Sequence, residues 1–500
     1  MASPDGLGTS PDDLGKREAE LIAARRKNLA DLVARGVDPF KVTRYDVDAH
    51  AADLATRYAP LANEEHAEEH DYALAGRIMS MRGPFVDLMD RTGRFQLYFS
   101  KSELGEQFKL LKSLDLGDFL GARGFVFRTK MGDLALHVKT FDVLGKGLAP
   151  LPDKWHGLTD VEKRYRQRYV DLVVNPHVRD VFVQRSRIVS EMRRFIDSRG
   201  FFECETPTLV NIAGGASARP FLTRSNALDL PLTLRIATEL NLKRLIVGGL
   251  ERVYEIGRIF RNEGIDTTHN PEFTMLELYA AYWSVFEMMD FNEDLFAHLV
   301  QSVHGGDSVM YGENAISFKK PFKRMGYMEA LKEFGGLERE QLLSPSGAQQ
   351  ILTDFGIPKS PTHAHALDKI FERVVEPQLL HPTFVYGYPV VLSPLAKRMP
   401  EDPDLTERYE LFGAYMELAN AFSELNDPDD QRARFELQLA EKAAGDEEVP
   451  PPDWDFVNAL EVGMPPTAGI GVGVDRLVML LTNNASIRDV ILFPLQRPHA

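Results

Sequence analysis

The stretch that most constrains this chain lies near its C-terminus, Ala468-Gly469-Ile470-Gly471-Val472-Gly473-Val474-Asp475-Arg476-Leu477-Val478-Met479-Leu480-Leu481. Glycines at three alternate positions strip one face of an extended strand of side chains. A strand bared in this way lets a flat ligand or another backbone lie against its sheet. Arg476 then opens a helix, where the dipole also favours anions. The pattern is neither the dinucleotide-binding nor the P-loop fingerprint, because no Lys-Ser follows and the strand itself carries the glycines. Alone it names no chemistry.

A second segment adds to it. Val253–Asn262 alternates as a strand, with Glu255, Gly257, Ile259 and Arg261 on one face. A loop from Glu263 to Glu272 holds Gly264, Asp266, His269, Asn270 and Pro271. A second strand returns from Phe273, with Met275, Glu277 and Tyr279 on one face. Arginine in a strand is more often a surface residue, but both faces here are apolar, so Arg261 reads as buried. A buried guanidinium needs an anion and grips phosphate or carboxylate bidentately. A third segment is an amphipathic helix, Asp180–Arg199, with Ile188, Met192, Phe195 and Ile196 as its buried stripe, running into the strand Phe201–Glu205 and Pro207.

The 500 residues allow two or three domains. Residues 1–15 read as a disordered tail, 16–60 as a helical segment, 61–150 as a barrel domain and 151–500 as a catalytic domain with a helical insertion near 340–380. The first helix, about Lys16–Arg35, ends at Gly36 and has an apolar stripe of Ile22, Leu29, Leu32 and Val33. Its basic turn, Arg25-Arg26-Lys27, fits a solvated face and a phosphate contact equally. Residues 72–146 read as about five short strands with a helical insert at Ser102–Ser113, the pattern of an OB-type barrel. Such barrels bind single-stranded nucleic acid by stacking bases on aromatic side chains. Net charge is −16, which alone argues against a nucleic-acid partner. The barrel differs: 72–146 hold 12 Lys+Arg against 8 Asp+Glu, leaving 46 against 66 elsewhere. Lys154–Tyr169 is a charged connector carrying Lys163, Arg164, Arg166 and Arg168. A single cysteine, Cys204, excludes an intrachain disulfide and reads as a small core residue. With no export signal and no membrane-spanning run, a cytoplasmic protein is expected.

Taken together, the segments resemble the three signature motifs of class II aminoacyl-tRNA synthetases. Phe260-Arg261-Asn262-Glu263 with His269-Asn270-Pro271-Glu272-Phe273-Thr274 is close to the second motif, and Gly471-Val472-Gly473-Val474-Asp475-Arg476 to the third. Arg164–Asp171, Gly214–Phe221, Arg235–Leu245, Asn420–Asp427 and Ile487–Pro494 are similar to the lysyl branch of the subgroup with an N-terminal OB domain. The resemblance covers nearly the whole chain from about residue 16. It implies an α+β fold: an antiparallel-sheet class II catalytic domain behind an N-terminal OB-fold β-barrel. It also implies a ligase that makes lysyl-adenylate from ATP and L-lysine, carries it to tRNA(Lys), uses Mg2+ and works as a homodimer.

The resemblance also implies roles. Arg261 would hold the α-phosphate and the lysine carboxylate, and Arg476 the γ-phosphate. Glu263, His269, Asn270 and Phe273 would place the nucleotide, with Phe273 on adenine. Glu410 and Glu417 would hold magnesium. Glu239 would take the α-ammonium of lysine and Asn420 its carboxylate. Glu277, Tyr279 and Glu424 would take the ε-ammonium, with Gly215 beside the same site. In the barrel, Arg77, Phe85 and Gln96 match anticodon-reading positions, and Asp133 stands near an acidic one. Physics favours lysine independently. Six glutamates in one cleft (239, 263, 277, 410, 417, 424) repel and shift upward in pKa unless cations compensate. Magnesium and a substrate ammonium would do so, whereas aspartate would worsen the clash. Alternation puts Asn420, Phe422 and Glu424 on one strand face and Glu417 on the other, so Glu417 needs a bulge or turn to join them. Around it, Gly413-Ala414-Tyr415-Met416 and Ala421 replace more glycine-rich wording. Three rivals stay open: an aspartate or asparagine enzyme of the same subgroup, a paralogue that lysylates a protein factor, and a binding protein on an inactive synthetase scaffold.

Overall fold

A computed structural model describes residues 11–152, 158–443 and 451–497. The chain divides into two compact units, Met1–Gly157 and Leu158–Ala500.

In the first unit, the opening helix runs Pro11–Ala34, so 11–15, read as tail, are helical, while 1–10 lie outside the described residues. Leu32 is wholly buried, but Val33 is exposed and does not belong to the stripe. The basic turn fits neither reading in full. Arg25 is buried and donates from Nη1 to the carbonyls of Gly147 (2.7 Å) and Ala149 (3.1 Å), while Arg26 and Lys27 are exposed. Five strands follow: β1 (His66–Arg82), β2 (Phe85–Met89), β3 (Arg94–Phe99), β4 (Phe119–Arg128) and β5 (Leu134–Gly145). They close into a barrel in the order β1-β2-β3-β5-β4. Alternation along each strand turns one set inward, with Leu74, Ile78, Leu88, Leu97, Leu120, Val126, Leu136 and Val138 in the core. Closure leaves no free edge.

The second unit is built on an eight-stranded sheet. Its strands are β6 (Phe202–Glu203), β7 (Arg252–Phe260), β8 (Glu272–Ala281), β9 (Lys323–Gly326), β10 (Thr383–Tyr386), β11 (Arg408–Gly413), β12 (Met416–Ser423) and β13 (Thr467–Gly473). Their order is β9-β10-β11-β12-β13-β8-β7-β6, antiparallel except for the β9–β10 and β7–β6 pairs at the edges. One face of the sheet carries Tyr254, Leu276, Leu278, Ile470, Val472, Ala419, Ala421 and Leu411. These pack in one core with apolar residues of the helices Pro176–Ser198, Val285–His304 and Val474–Leu481. The helical insertion starts at Tyr327, earlier than expected, and links the parallel pair β9 and β10 over its own core of Tyr327, Leu331, Ile351, Leu367 and Phe371. The connector is helical too (Val161–Arg166 and Arg168–Val174), with 153–157 outside the described residues. Arg168 is fully buried, donating to Asp171 (2.6 Å) and to the carbonyls of Leu492 (3.0 Å) and Arg488 (2.9 Å).

The glycines of β13 are not equivalent. A Cβ on Gly469 would stand 2.2 Å from Glu424 Oε1 and 2.3 Å from the Tyr279 ring. On Gly471 it would stand 3.0 Å from the flexible end of Met275, and on Gly473 nothing lies nearer than 3.9 Å. We therefore predict a graded alanine series in thermal unfolding: Gly469→Ala costs about 1–3 kcal/mol from overpacking. Gly473→Ala stays within about 0.5 kcal/mol, and Gly471→Ala falls between. Equal costs at 469 and 473 would refute the close-approach reading.

Candidate active site

The side of the sheet away from the helices lines a cavity of about 530 Å³. Antiparallel register builds it in rows. Glu277 of β8 faces Gly471 of β13, Gly471 faces Asn420 of β12, and Asn420 faces Glu410 of β11. The next row is Tyr279, Gly469, Phe422 and Arg408. Bare positions in the middle strand thus lie between candidate site residues on both flanks. Glu417 joins this face through a bulge: β11 pairs Leu411 with Ala419 and then Phe412 with Glu417, skipping Leu418. The irregularity that alternation required is present.

At one end of the cavity stand Glu239, Glu277, Tyr279 and Glu424. Glu277 accepts from the Thr238 amide (2.9 Å) and from the Tyr279 hydroxyl (3.2 Å). Burial and neighbouring Glu239 push its pKa up to about 7 against those bonds. Burial likewise raises Glu239 and, further, Glu424. Gly215, with φ +88°, leaves a gap where a Cβ would lie 3.1 Å from the Glu239 Cβ.

At the other end, Arg261 follows β7 and is part-buried in the cavity wall, with its guanidinium 5.2 Å from the Phe273 ring centre. Its Nε is shielded from solvent and has no hydrogen-bond partner, and burial depresses its pKa. An anion would satisfy it. Arg476 sits in the first turn of Val474–Leu481 and reaches the Glu417 carbonyl (3.1 Å) and carboxylate (3.3 Å) and His269 Nε2 (3.3 Å). His269 pairs with Asp266 (2.9 Å), Asn270 is buried, and the exposed Glu263 also lines the cavity. Asp475 locks this end, accepting from Arg185 Nη1 and from the Thr274 amide, both at 2.6 Å.

All six glutamates line this one cavity. Upward shifts are found at Glu239, Glu277, Glu410 and Glu424, but burial is their first cause, and neighbouring carboxylates add to it only at Glu277, Glu410 and Glu424. What sequence reasoning missed is that the protein brings cations of its own. Arg408 donates to Glu410 (2.5 Å) and to Asn420 Oδ1 (3.1 Å), and Tyr388 donates to Glu410 at 2.8 Å. Lys243 pairs with Glu239 at 2.5 Å and with Glu424. Signals existed: Arg408 shares strand parity with Glu410, and Lys243 follows Glu239 by one helical turn. Even so, burial outweighs Arg408, and Glu410 rises to about 7, with Glu417 pushing the same way. Cys204 is buried, its thiol pushed up by burial, as a core residue requires.

The barrel has a separate candidate surface. Phe85 meets Tyr98 at 5.0 Å in a tilted pair, Tyr98 in turn meets His137 (5.3 Å) and Phe127 (5.7 Å), and Gln96 shares their outward face. Arg77 instead lies over Phe119 (4.2 Å) and donates to the Gly117 carbonyl (2.9 Å). Asp133 is exposed in the turn before β5.

Comparison with known proteins decides the family. Residues 160–497 match the model for tRNA synthetases class II (D, K and N), and 72–144 match an OB-fold nucleic acid binding domain. The chain is 51% identical to the lysine–tRNA ligase of Halalkalibacterium halodurans over 488 residues, 96% of this chain and 97% of that one. It is 50% identical to those of Bacillus subtilis (95% and 97%) and Moorella thermoacetica (96% and 98%). The chain belongs to the lysine–tRNA ligase family of class II synthetases. The synthetase fold is the one inferred from the sequence: a mixed α and β catalytic unit on a largely antiparallel sheet, preceded by a closed five-stranded OB barrel.

The raised glutamates lead to a prediction about the pH dependence of this synthetase. A carboxyl at about 7 when folded and about 4.3 when unfolded contributes stability that is complete below the lower value and lost as pH rises through the higher. The ligand-free catalytic unit should therefore weaken between pH 5 and about 7.5. A bound ammonium favours the ionised carboxylates, so stabilisation by lysine should grow over the same window. We predict that lysine affinity, measured by calorimetry, rises about tenfold from about pH 6 to about pH 8 for each group titrating. A flat profile would mean that these carboxyls are already ionised at the lower pH.

Proposed function

We propose that this chain activates L-lysine with ATP as lysyl-adenylate and transfers the lysyl group to the 3′ end of tRNA(Lys). The observation that carries the reading is the juxtaposition of three buried glutamates and Tyr279 at one end of the cavity with Arg261, its Nε unpartnered, at the other. One end suits ammonium groups and the other suits phosphate and carboxylate. In this reading Glu239 takes the α-ammonium and Asn420 the carboxylate. Glu277, Tyr279 and Glu424 take the ε-ammonium, and Gly215 leaves the substrate room. Phe273 stacks on adenine, Glu263, His269 and Asn270 place the nucleotide, and Arg476 meets the γ-phosphate at a helix N-terminus.

The lysine carboxylate attacks the α-phosphorus in line, the bond to pyrophosphate breaks, and Arg261 stabilises the charge that builds on the phosphoryl oxygens. The terminal 3′-hydroxyl of the tRNA then attacks the adenylate carbonyl and AMP leaves. Positioning and electrostatics suffice, so no protein nucleophile is needed. Glu410 and Glu417 suit magnesium, which takes one or two carboxylates together with substrate phosphates. The raised pKa of Glu410 fits a site made for a cation. When bound, the ion would neutralise phosphate charge.

The aromatic face of Phe85, Tyr98 and Phe127, with Gln96 beside it and Arg77 at Phe119, supports anticodon reading by stacking. Exposed Val183, Phe202 and Leu209, on or beside the helix–strand–Pro207 unit, support a homodimer. No described helix is long and apolar enough to cross a membrane, and we place the enzyme in the cytoplasm.

ATP–pyrophosphate exchange, run with each standard amino acid and without tRNA, tests the reading. Exchange should occur with lysine and fall about 100-fold or more in Arg261→Ala, with an unchanged melting temperature. Exchange with aspartate or asparagine would overturn the pocket assignment, and none with any amino acid would overturn the activity. Light scattering should give twice the 56.3 kDa chain mass, and a monomer would remove the dimer.

A further inference from the structure

Lys243 has no part in the scheme above, yet it lies at the centre of the amino-acid end. It is fully buried in the helix Glu239–Val247, one turn after Glu239. Its Nζ lies 2.5 Å from Glu239 Oε1 and forms an ion pair with Glu424 Oε2, tying the helix to the end of β12. The ammonium also lies over the rings of Phe422 (5.4 Å) and Phe456 (5.7 Å). From β8, Glu277 and Tyr279 face the same pair of carboxylates, and Arg408 of β11 acts on Glu239. Glu424 Oε1, packed beside Gly469 and shielded from solvent, has no hydrogen-bond partner.

Three carboxylates (Glu239, Glu277, Glu424) and one ammonium (Lys243) give this end a formal charge of minus two when ionised. A diamino acid whose carboxylate goes to Arg261 brings two positive charges and neutralises it. Without Lys243 the count is minus three, which a diamino acid leaves unbalanced. Isolated buried charge is costly, so the match matters.

Resting on the functional reading above, we propose that Lys243 is a positioning and specificity-determining residue. Its buried ammonium sets the charge of the pocket to the value that a diamino acid neutralises, and it holds Glu239 and Glu424 in place for the substrate's two ammonium groups.

The test is a double-mutant cycle in lysine-dependent ATP–pyrophosphate exchange, with the KM for lysine and for ATP read separately. Lys243→Met should raise the lysine KM about tenfold or more, because it strands two carboxylates. Glu424→Gln should also raise it, because the pocket is then only minus one. The double variant restores minus two and should bind lysine about threefold or more better than Glu424→Gln alone. The KM for ATP should stay unmoved throughout. A lysine of merely structural importance would make the double variant as poor as the worse single or poorer, and that result overturns the proposal. If Lys243→Met alone does not fold, Glu424→Gln against the double variant still decides. Misfolding of the double also counts against the proposal, since it strands only Glu239, against two carboxylates in Lys243→Met. A parent inactive with lysine would sink the functional reading itself, whereas an active parent with an additive double sinks only the role of Lys243.

Discussion

The site depends on the register of β13 between β8 and β12. Glu277, Gly471, Asn420 and Glu410 form one row only because each pairs with its neighbour in this register. The side-chain period of a strand is two, so a slip of one residue would present Ile470 and Val472 to the cavity and bury the glycines in the core. The apolar face prevents the slip: Ile470 and Val472 belong to the large core formed with the three helices behind the sheet. Hydrophobic burial thus fixes the polar geometry on the opposite face. The glycine at 469 then lets Glu424 and Tyr279 approach from either flank, closer than any side chain would allow.

On that scaffold the electrostatics are organised as two compensated clusters. Lys243 serves Glu239 and Glu424, and Arg408 serves Glu410, while Glu277 has only neutral donors. In every case burial wins over the partner, because the four carboxyls remain raised. The resident cations lower the cost of assembling the clusters without removing it, and the remainder is what a cationic ligand would relieve. Arg261 is the mirror image, a cation in a wall with its Nε unpartnered.

Much of this was legible in the sequence because it is periodic. Alternation located β7, β8 and β13 and placed Glu277 and Tyr279 on one face, and motif resemblance supplied the family. Groups whose role depends on distant chain were not legible. Arg25 read as one residue of a basic turn, but its partners are carbonyls more than 120 residues away. Arg168 read as connector charge, yet it is wholly buried against the C-terminal segment. Lys243 drew no reading of its own, because spacing can show the Glu239 pair but not Glu424. A single sequence gives the strand face of a charge, whereas its partner is set by topology.

The hairpin between β11 and β12 shows how sequence departures can still serve the site. Ala414 and Tyr415 both adopt left-handed conformations, φ 54° and 63°, the geometry of a tight two-residue turn that favours glycine and asparagine. Each non-glycine residue there costs on the order of 1–2 kcal/mol. The turn is held nonetheless. The Ala414 and Tyr415 amides donate to the carbonyls of Leu380 and Leu379, at the end of the helical insertion, and Ala414 is packed into the core. With the turn pinned from outside the hairpin, the extra residue on β12 must be absorbed within the strand. The bulge at Leu418 absorbs it and turns Glu417 to the same side as Glu410. Local strain at residues 414 and 415 is therefore the counterpart of a carboxylate pair that regular alternation could not have made.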